Sequence, residues 1–337
     1  MALVSLGDMA FQYQLRQQNL VLKQALQTTG QEITTGVSAD LTERLSGDFG
    51  PLSAIERSLT AIESYNVATS EAKLTANAMQ LALTNLSGTM SGLDSSLVLA
   101  GTEPQSTLID AAGHDAYSKF EQAVSALNSS IAGRSLFAGA QTDLAPLISG
   151  PDILAAVEAA VAGETTAQGI ADAVNAWFTD PSGDYEVLAY QGATQGAGPV
   201  RLAEGQSLSL DITALDPAVR EALAGLATGA LLANRTTLGG DVDARSDLAE
   251  IAGIALLSAE GGLATLQAEL GVAQERIELI ETENATHASV LELARSDLIG
   301  VDPYHAATRL EALQAQLETL YTLTARVSRL SLADYLS

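Results

Sequence analysis

The chain has 337 residues, no cysteine, 4% aromatic residues and a net charge of −25. Without cysteine there can be no disulfide scaffold, thiolate metal site or cysteine nucleophile, and an acidic excess in every part of the sequence excludes general binding to phosphate backbones or anionic lipid surfaces. Apolar residues reach 47%, largely Ala and Leu, which suits long helices packed through small and branched side chains rather than one large globular core.

In chain order, Met1 to Asp8 has neither a basic segment nor a long apolar core, so no cleavable secretory signal is expected. Leu15, Leu22, Leu26 and Ile33 then recur on one helical face. The strongest pattern follows. Ile62, Tyr65, Thr69, Ala72, Ala76, Met79, Leu83, Leu86, Met90, Leu93 and Leu97 keep strict three-four spacing, and only Thr69 is not apolar. That spacing places them along one stripe of a helix. Tyr117, Phe120, Val124, Leu127 and Ile131 make a shorter seam.

From Gly139 to Gly240 glycines cluster and the seven-residue repeats fade. Pro151 to Thr179 predicts one or two short helices. Tyr185 to Tyr190 and Gln206 to Thr213 predict strands, the second alternating Leu208, Leu210 and Ile212 against Ser207, Ser209 and Asp211. Gly192 to Pro199 predicts a hairpin loop. Asp216-Pro217 opens another helix, to about Leu232.

A second long seam runs Leu266, Leu270, Ala273, Ile277, Ile280, Asn284, His287, Leu291, Ala294 and Leu298. It predicts a helix from about Leu248 to Leu298, roughly 75 Å long, with Gly261-Gly262 as its weak point. The most apolar run, Ile251 to Ser258, stops at Glu260 and falls short of the roughly 20 residues of a membrane span. Gly300 can end the helix, and Asp302 can cap a new one with Pro303 at its first position. Leu310, Leu313, Leu317, Leu320, Thr324 and Val327 then hold a last helical face.

No catalytic constellation stands out. His287 sits on the second seam without a Glu-x-x-His repeat, and reads as a polar seam position that sets register. Asp241 to Asp247 begins like a calcium loop but has Ser246 and Ala252 where glycine and glutamate are needed. It reads as a charged turn capping the long helix. Gly192, Gly196 and Gly198 lack the Lys-Ser/Thr of a phosphate cradle. Trp177-Phe178 reads as an anchor for a small core. A ligand site around Trp177, Tyr185 and Tyr190 is the competing reading, and it requires a deep polar pocket there.

Several motifs together resemble one family. Thr35-Gly36 resembles a Thr/Ser-Gly turn, Gly50-Pro51-Leu52-Ser53-Ala54 an Asp-Pro-x-x-Ala helix start, and Tyr65-Asn66 a Tyr-x-x-Asn segment. Arg134-Ser135-Leu136-Phe137-Ala138-Gly139 resembles an Arg-Tyr-Leu-Phe-Gly-Gly passage, and Tyr190-Gln191-Gly192 a Tyr-x-Gly signature. The end, Leu330-Ser331-Leu332-Ala333-Asp334-Tyr335-Leu336, is close to a Leu-Ser-Leu-x-Asp-Tyr-Leu terminus. The chain resembles the flagellin-like hook-associated protein 3 family, the hook–filament junction proteins. It departs from that pattern at Asp48-Phe49-Gly50-Pro51 and at Leu136. The Asn-Thr-Asn expected near the start of a major filament subunit is absent.

The seams and the resemblance together imply a mainly α fold: a long antiparallel helical bundle or coiled coil from both chain ends, with an inserted mixed α/β outer domain. The expected parts are an N-terminal coiled-coil segment at 1–45 and an inner helical domain at 46–139. An outer α+β insert follows at 140–243, then a long helix at 244–300 and a C-terminal coiled-coil segment at 301–337. Expected subunit-interface residues are Leu15, Leu22, Leu26, Ile33, Leu310, Leu313, Leu317, Leu320, Val327, Leu330, Leu332, Tyr335 and Leu336. Expected bundle-seam residues are Ile62, Met79, Leu83, Leu86, Leu93, Leu266, Leu270, Ile277, Ile280 and Leu291. The terminal segments are expected to lack a partner until assembly.

The resemblance implies a structural, non-enzymatic subunit of the extracellular flagellum with no cofactor. Type III export without a cleaved signal, a ring-like homo-oligomer and contacts with another hook-associated protein, flagellin and an export chaperone also follow from it, with no nucleic-acid or membrane partner. A minor flagellin shares every coarse feature. A type III effector or translocator would need a long apolar hairpin.

Overall fold

The computed structural model describes the backbone of residues 6–336 and the side chains of residues 9–326. In chain order the helices are α1 (Leu6–Thr35), α2 (Leu41–Arg44), α3 (Gly50–Met90), α4 (Leu93–Thr102), α5 (Ser106–Leu127), α6 (Gly150–Val161), α7 (Ala167–Thr179), α8 (Pro217–Ala230), α9 (Val242–Ile299) and α10 (Pro303–Leu336). Two short antiparallel hairpins interrupt them: β1 (Ser130–Ile131) with β2 (Arg134–Ser135), and β3 (Val200–Ala203) with β4 (Gln206–Leu208). The fold is mainly α, as expected. The contacts form two compact units, residues 1–63 with 285–337 and residues 64–284, and α3 and α9 contribute to both.

In the larger unit the first seam is the core. Thr69, Ala72, Ala76, Met79, Leu83, Leu86, Met90, Leu93 and Leu97 are all buried, and so are Leu266, Leu270, Ile277 and Ile280 on α9. As α3 and α4 advance, α9 retreats. Lys73 pairs with Glu281, Asn77 bonds Gln274, and Val98 and Gly101 lie against Gly253 and Glu250. The backbones nearly touch at the α4 end. A Cβ on Gly253 would lie 2.8 Å from the Asp94 carbonyl oxygen, so only glycine fits.

Gly261-Gly262 does not weaken α9, which runs unbroken through it. Ala259, Leu263 and Leu266 are buried around the pair, and packing overrides the poor helix propensity of glycine. By composition α9 is apolar enough to cross a bilayer, yet Leu248, Ala252, Leu256 and Leu263 are fully buried in this protein core.

The segment between Gly139 and Gly240 shares that core. Helix α8 packs on α5 and α7, and is buried from Val219 onward except at Glu221. Phe178 meets Phe120 edge-on at 6.4 Å, and Trp177 meets Tyr185 at 6.0 Å. Arg220 lies 5.5 Å from the Tyr185 ring, donates to the carbonyls of Phe178 and Asp180, and pairs with Glu186 at 3.0 Å. Its charge is thereby satisfied inside the core.

Pro151 to Thr179 folds as two helices, α6 and α7. Tyr185–Ala189 is a single π turn, not a strand. Tyr185 and Ala189, four residues apart, face the core while Val187 and Leu188 face solvent, a helical spacing that overrides β propensity. Of Gln206 to Thr213 only Gln206–Leu208 pairs, and Leu210 and Ile212 pack on the core without a partner strand. Gly192 to Pro199 is no hairpin loop, because the preceding strand is missing. It runs back over residues 138–140, with Ala193 N–H bonded to the Ala138 carbonyl and Ala140 N–H to that of Gln195, each at 2.9 Å.

Hairpin β3–β4 docks through one carbonyl. The Leu202 oxygen accepts from Asn284 Nδ2 at 2.9 Å and lies 3.5 Å from Thr69 Oγ1. These are the polar positions of the two seams. Asn284 is 3% exposed and carries the registering role expected of His287, which instead faces solvent because nothing packs over the seam there.

Truncating buried Leu83 to Ala is expected to cost about 2–5 kcal/mol. The same change at Leu81, 62% exposed on the opposite face, is expected to stay within about 0.5 kcal/mol. Equilibrium denaturation of both variants checks the seam assignment.

A second prediction concerns pH. A hydrogen bond from buried Arg245, with Arg235 also 2.9 Å away, holds the Asp110 carboxyl below its ordinary value. Its contribution is full above pH about 3.9 and is lost as the pH falls through the folded value. Burial and Glu269 raise Asp216, which therefore contributes with the opposite sign. Asp110→Asn should flatten the acid limb of the stability profile, and Asp216→Asn should steepen it.

Candidate assembly surface

The smaller unit is built on the pair of terminal helices. Helices α1 and α10 run antiparallel, with residues 12–19 of α1 beside Tyr321 and Thr324 and residues 17–22 beside Ala315 to Leu323. Each helix therefore already has a partner within one chain, where the sequence suggested partners only on assembly.

Leu15 and Leu320 are buried, and Leu22, Leu26, Leu310, Leu313 and Leu317 are half-buried. Ile33 is exposed. Glu32 takes the inward position there, and its carboxylate accepts the Ala39 N–H at 3.1 Å. Val327, Leu330, Leu332, Tyr335 and Leu336 lie on the α10 backbone, but their side chains are outside the described residues. Of the seam residues, Ile62, Met79, Leu83, Leu86, Leu93, Leu266, Leu270, Ile277 and Ile280 are buried and Leu291 is half-buried.

Two helices in contact can hide only one stripe each. Met9, Phe11, Tyr13, Leu20 and Val21 on α1, with Tyr321 and Leu323 on α10, remain 44–68% exposed. Val21, Leu22, Leu320 and Leu323 line one open groove of 610 Å³. Exposed apolar residues along a groove of this kind make it a candidate interaction surface.

The turn at the base of the pair is pinned by backbone bonds. Gly36, at φ +70°, ends α1. Val37 forms an antiparallel bridge with Gly300, where Ser38 N–H donates to the Ile299 carbonyl at 2.8 Å and Val301 N–H to that of Gly36 at 3.0 Å. Arg44 donates from Nε to the Leu298 carbonyl and from Nη2 to that of Asp297, filling orphan acceptors at the end of α9. Asp302 Oδ1 then accepts from Tyr304 N–H at 2.8 Å and caps α10, with Pro303 in its first position. The cap was readable in the sequence. The Arg44 clamp was not, since no local pattern links residues so far apart.

The alternative ligand site does not form. Trp177 and Tyr185 are core residues and the Tyr185 hydroxyl donates to the Ala214 carbonyl at 2.8 Å. Burial pushes the Tyr190 phenol up to about 12, and its hydroxyl donates to the Ala193 carbonyl. Asp241 caps α9 through the N–H groups of Asp243 and Ala244.

Residues 256–336 match the family model of the bacterial flagellin C-terminal helical region. That stretch is similar to the flagellin C-terminal region. The matched stretch takes in the later part of α9, the Gly300–Pro303 joint and α10. Among solved structures, a protein assigned as a flagellar hook-associated protein, from Vibrio parahaemolyticus, is 14% identical with a TM-score of 0.50. It covers 73% of this chain and 95% of its own. FlgL of Bacillus cereus is 16% identical over 71% of this chain and 96% of its own, with a TM-score of 0.49. At this identity the likeness to the first is one of fold. No curated protein sequence matches this chain.

Substituting Gly36 by Ala forces a side chain into the left-handed region and should cost about 1–2 kcal/mol. Hydrogen exchange should then speed up at the Ser38 and Val301 amides and stay unchanged at Ala214, in the other unit.

Proposed function

We propose that this flagellin-like chain is a structural subunit of the bacterial flagellum, placed at the hook–filament junction and polymerising through α1 and α10. The observation that carries the reading is the apolar surface left open along both helices after they have paired. A solitary subunit gains nothing from it, whereas copies packed side by side bury it as an inner tube of coiled coil. Segments 1–45 and 301–337 supply the tube. Segments 46–139 and 244–300 supply a rigid layer, and segment 140–243 shares its core through α8.

The match to the flagellin C-terminal region supports this role, and the Leu330 to Leu336 terminus favours a junction subunit over a minor flagellin. The chain then works outside the cell without catalysis. It is exported unfolded by the flagellar type III apparatus with a chaperone, forms a ring with its own copies, and meets another hook-associated protein and flagellin.

Removing residues 318–337 should abolish junction assembly while leaving the fold of residues 64–284 intact by circular dichroism and melting. Normal filaments on cells carrying only the truncated chain would falsify the role of α10. Long filaments grown from the purified chain on a seed would point to a minor flagellin instead.

A further inference from the structure

The smaller unit holds a buried carboxylate that the packing of α1 does not require. Glu32 is 9% exposed where the helical face would otherwise carry an apolar residue. Its Oε1 accepts the Ala39 N–H at 3.1 Å, while Oε2 has no hydrogen-bond or ion-pair partner among the described residues. One turn earlier Thr29 is 1% exposed, and its hydroxyl also lacks a partner among the described residues. Burying such groups costs free energy unless something pairs with them. The missing partner must then come from outside the chain.

Both groups line an open cleft of 810 Å³, together with Gln24, Ser38, Glu43 and Arg309. That volume lies within the range of small-ligand sites, about 300–1,000 Å³. Helix α1 supplies one wall, the turn into α2 another, and the start of α10 carries Arg309 at the rim. The chain's own cations do not fill the cleft. Arg44 is committed to the carbonyls of Leu298 and Asp297, and Arg309 stands exposed without an ion pair among the described residues.

We propose that this cleft receives the guanidinium of an arginine side chain presented by a partner protein. The chemistry of the lining selects it. A carboxylate at the floor repels anions, and hydroxyl, amide and carboxylate groups offer little to an apolar side chain. No acidic or histidine group of three or more that could hold a metal ion occurs among the described residues, and Asp40 Oδ1 is already taken by the Glu43 N–H at 2.9 Å. The open acceptors are spread between Glu32 Oε2, the Thr29 hydroxyl and the Glu43 carboxylate. A guanidinium brings five N–H donors in a rigid fork and sheds water more readily than an ammonium. An arginine seated there would touch α1 and α2 at once. The inference stands on this geometry alone and does not depend on the place proposed for the chain in the flagellum.

The test titrates the isotope-labelled full-length protein with the peptide acetyl-Ala-Arg-Ala-amide, and with the same peptide carrying citrulline, the neutral isostere of arginine. The Ala39 amide, which donates to Glu32, is the reporter. Its resonance should shift saturably with the arginine peptide, with an affinity at least about tenfold above that for citrulline. Glu32→Gln keeps an acceptor for Ala39 but removes the charge, and should abolish the saturation while the melting temperature holds. Should that variant melt early, Thr29→Val is the second variant, and it should weaken the arginine peptide several-fold. No saturable shift, equal affinity for citrulline or for a lysine peptide, or an unaltered response in both variants would overturn the inference. So would calcium chloride moving the Ala39 resonance in the same way, which would make the cleft a metal site. Peptide binding that appears only in Arg309→Gln would also overturn it, because the chain's own arginine would then be the occupant.

Discussion

The larger unit depends on one contact, the antiparallel seam between α3–α4 and α9. Its two sides come from opposite ends of the unit's sequence, so its formation closes a long loop and is entropically costly. A continuous row of fully buried Leu, Met and Ala offsets that cost. Glycine at 253 lets the backbones approach where the row narrows. The inserted helices bury their apolar faces in the same core. Helix α8 is buried on nearly every side because it plugs the space between α5, α7 and α9.

Polar groups then fix what greasy packing leaves loose. A row of similar apolar residues could slide by a turn. The Leu202 carbonyl takes Asn284 and lies against Thr69, and slippage would leave a buried amide unpaired. The Arg245–Asp110 pair ties the start of α9 to α5, with Arg245 also donating to the Leu232 carbonyl. In the smaller unit the bond pattern around Gly36 and Gly300 does comparable work, holding the ends of α1 and α9 together through backbone groups.

Much of this was legible in residue order because helix period is a local property. Both long seams, the Asp302-Pro303 cap, the two helices before Thr179 and the α8 start at Pro217 follow from spacing and capping chemistry. What failed depended on distant neighbours. The stretch from Tyr185 looks like a strand by composition, but the core wants Tyr185 and Ala189 on one side. Gly261-Gly262 looks weak until the buried residues around it are known. His287 occupies a seam position in sequence, yet the seam has no cover there. On the assembly surface the apolar faces of α1 and α10 were visible, except that Glu32 displaces Ile33. The Arg44 clamp had no sequence signal at all.

In the proposed role, apolar surface left open by the folded chain is closed by other subunits where hook meets filament. Electron microscopy of cells lacking this chain tests it most directly. Hooks without filaments, with flagellin shed into the medium, are the predicted result. Filaments of ordinary length and number on those cells would contradict it.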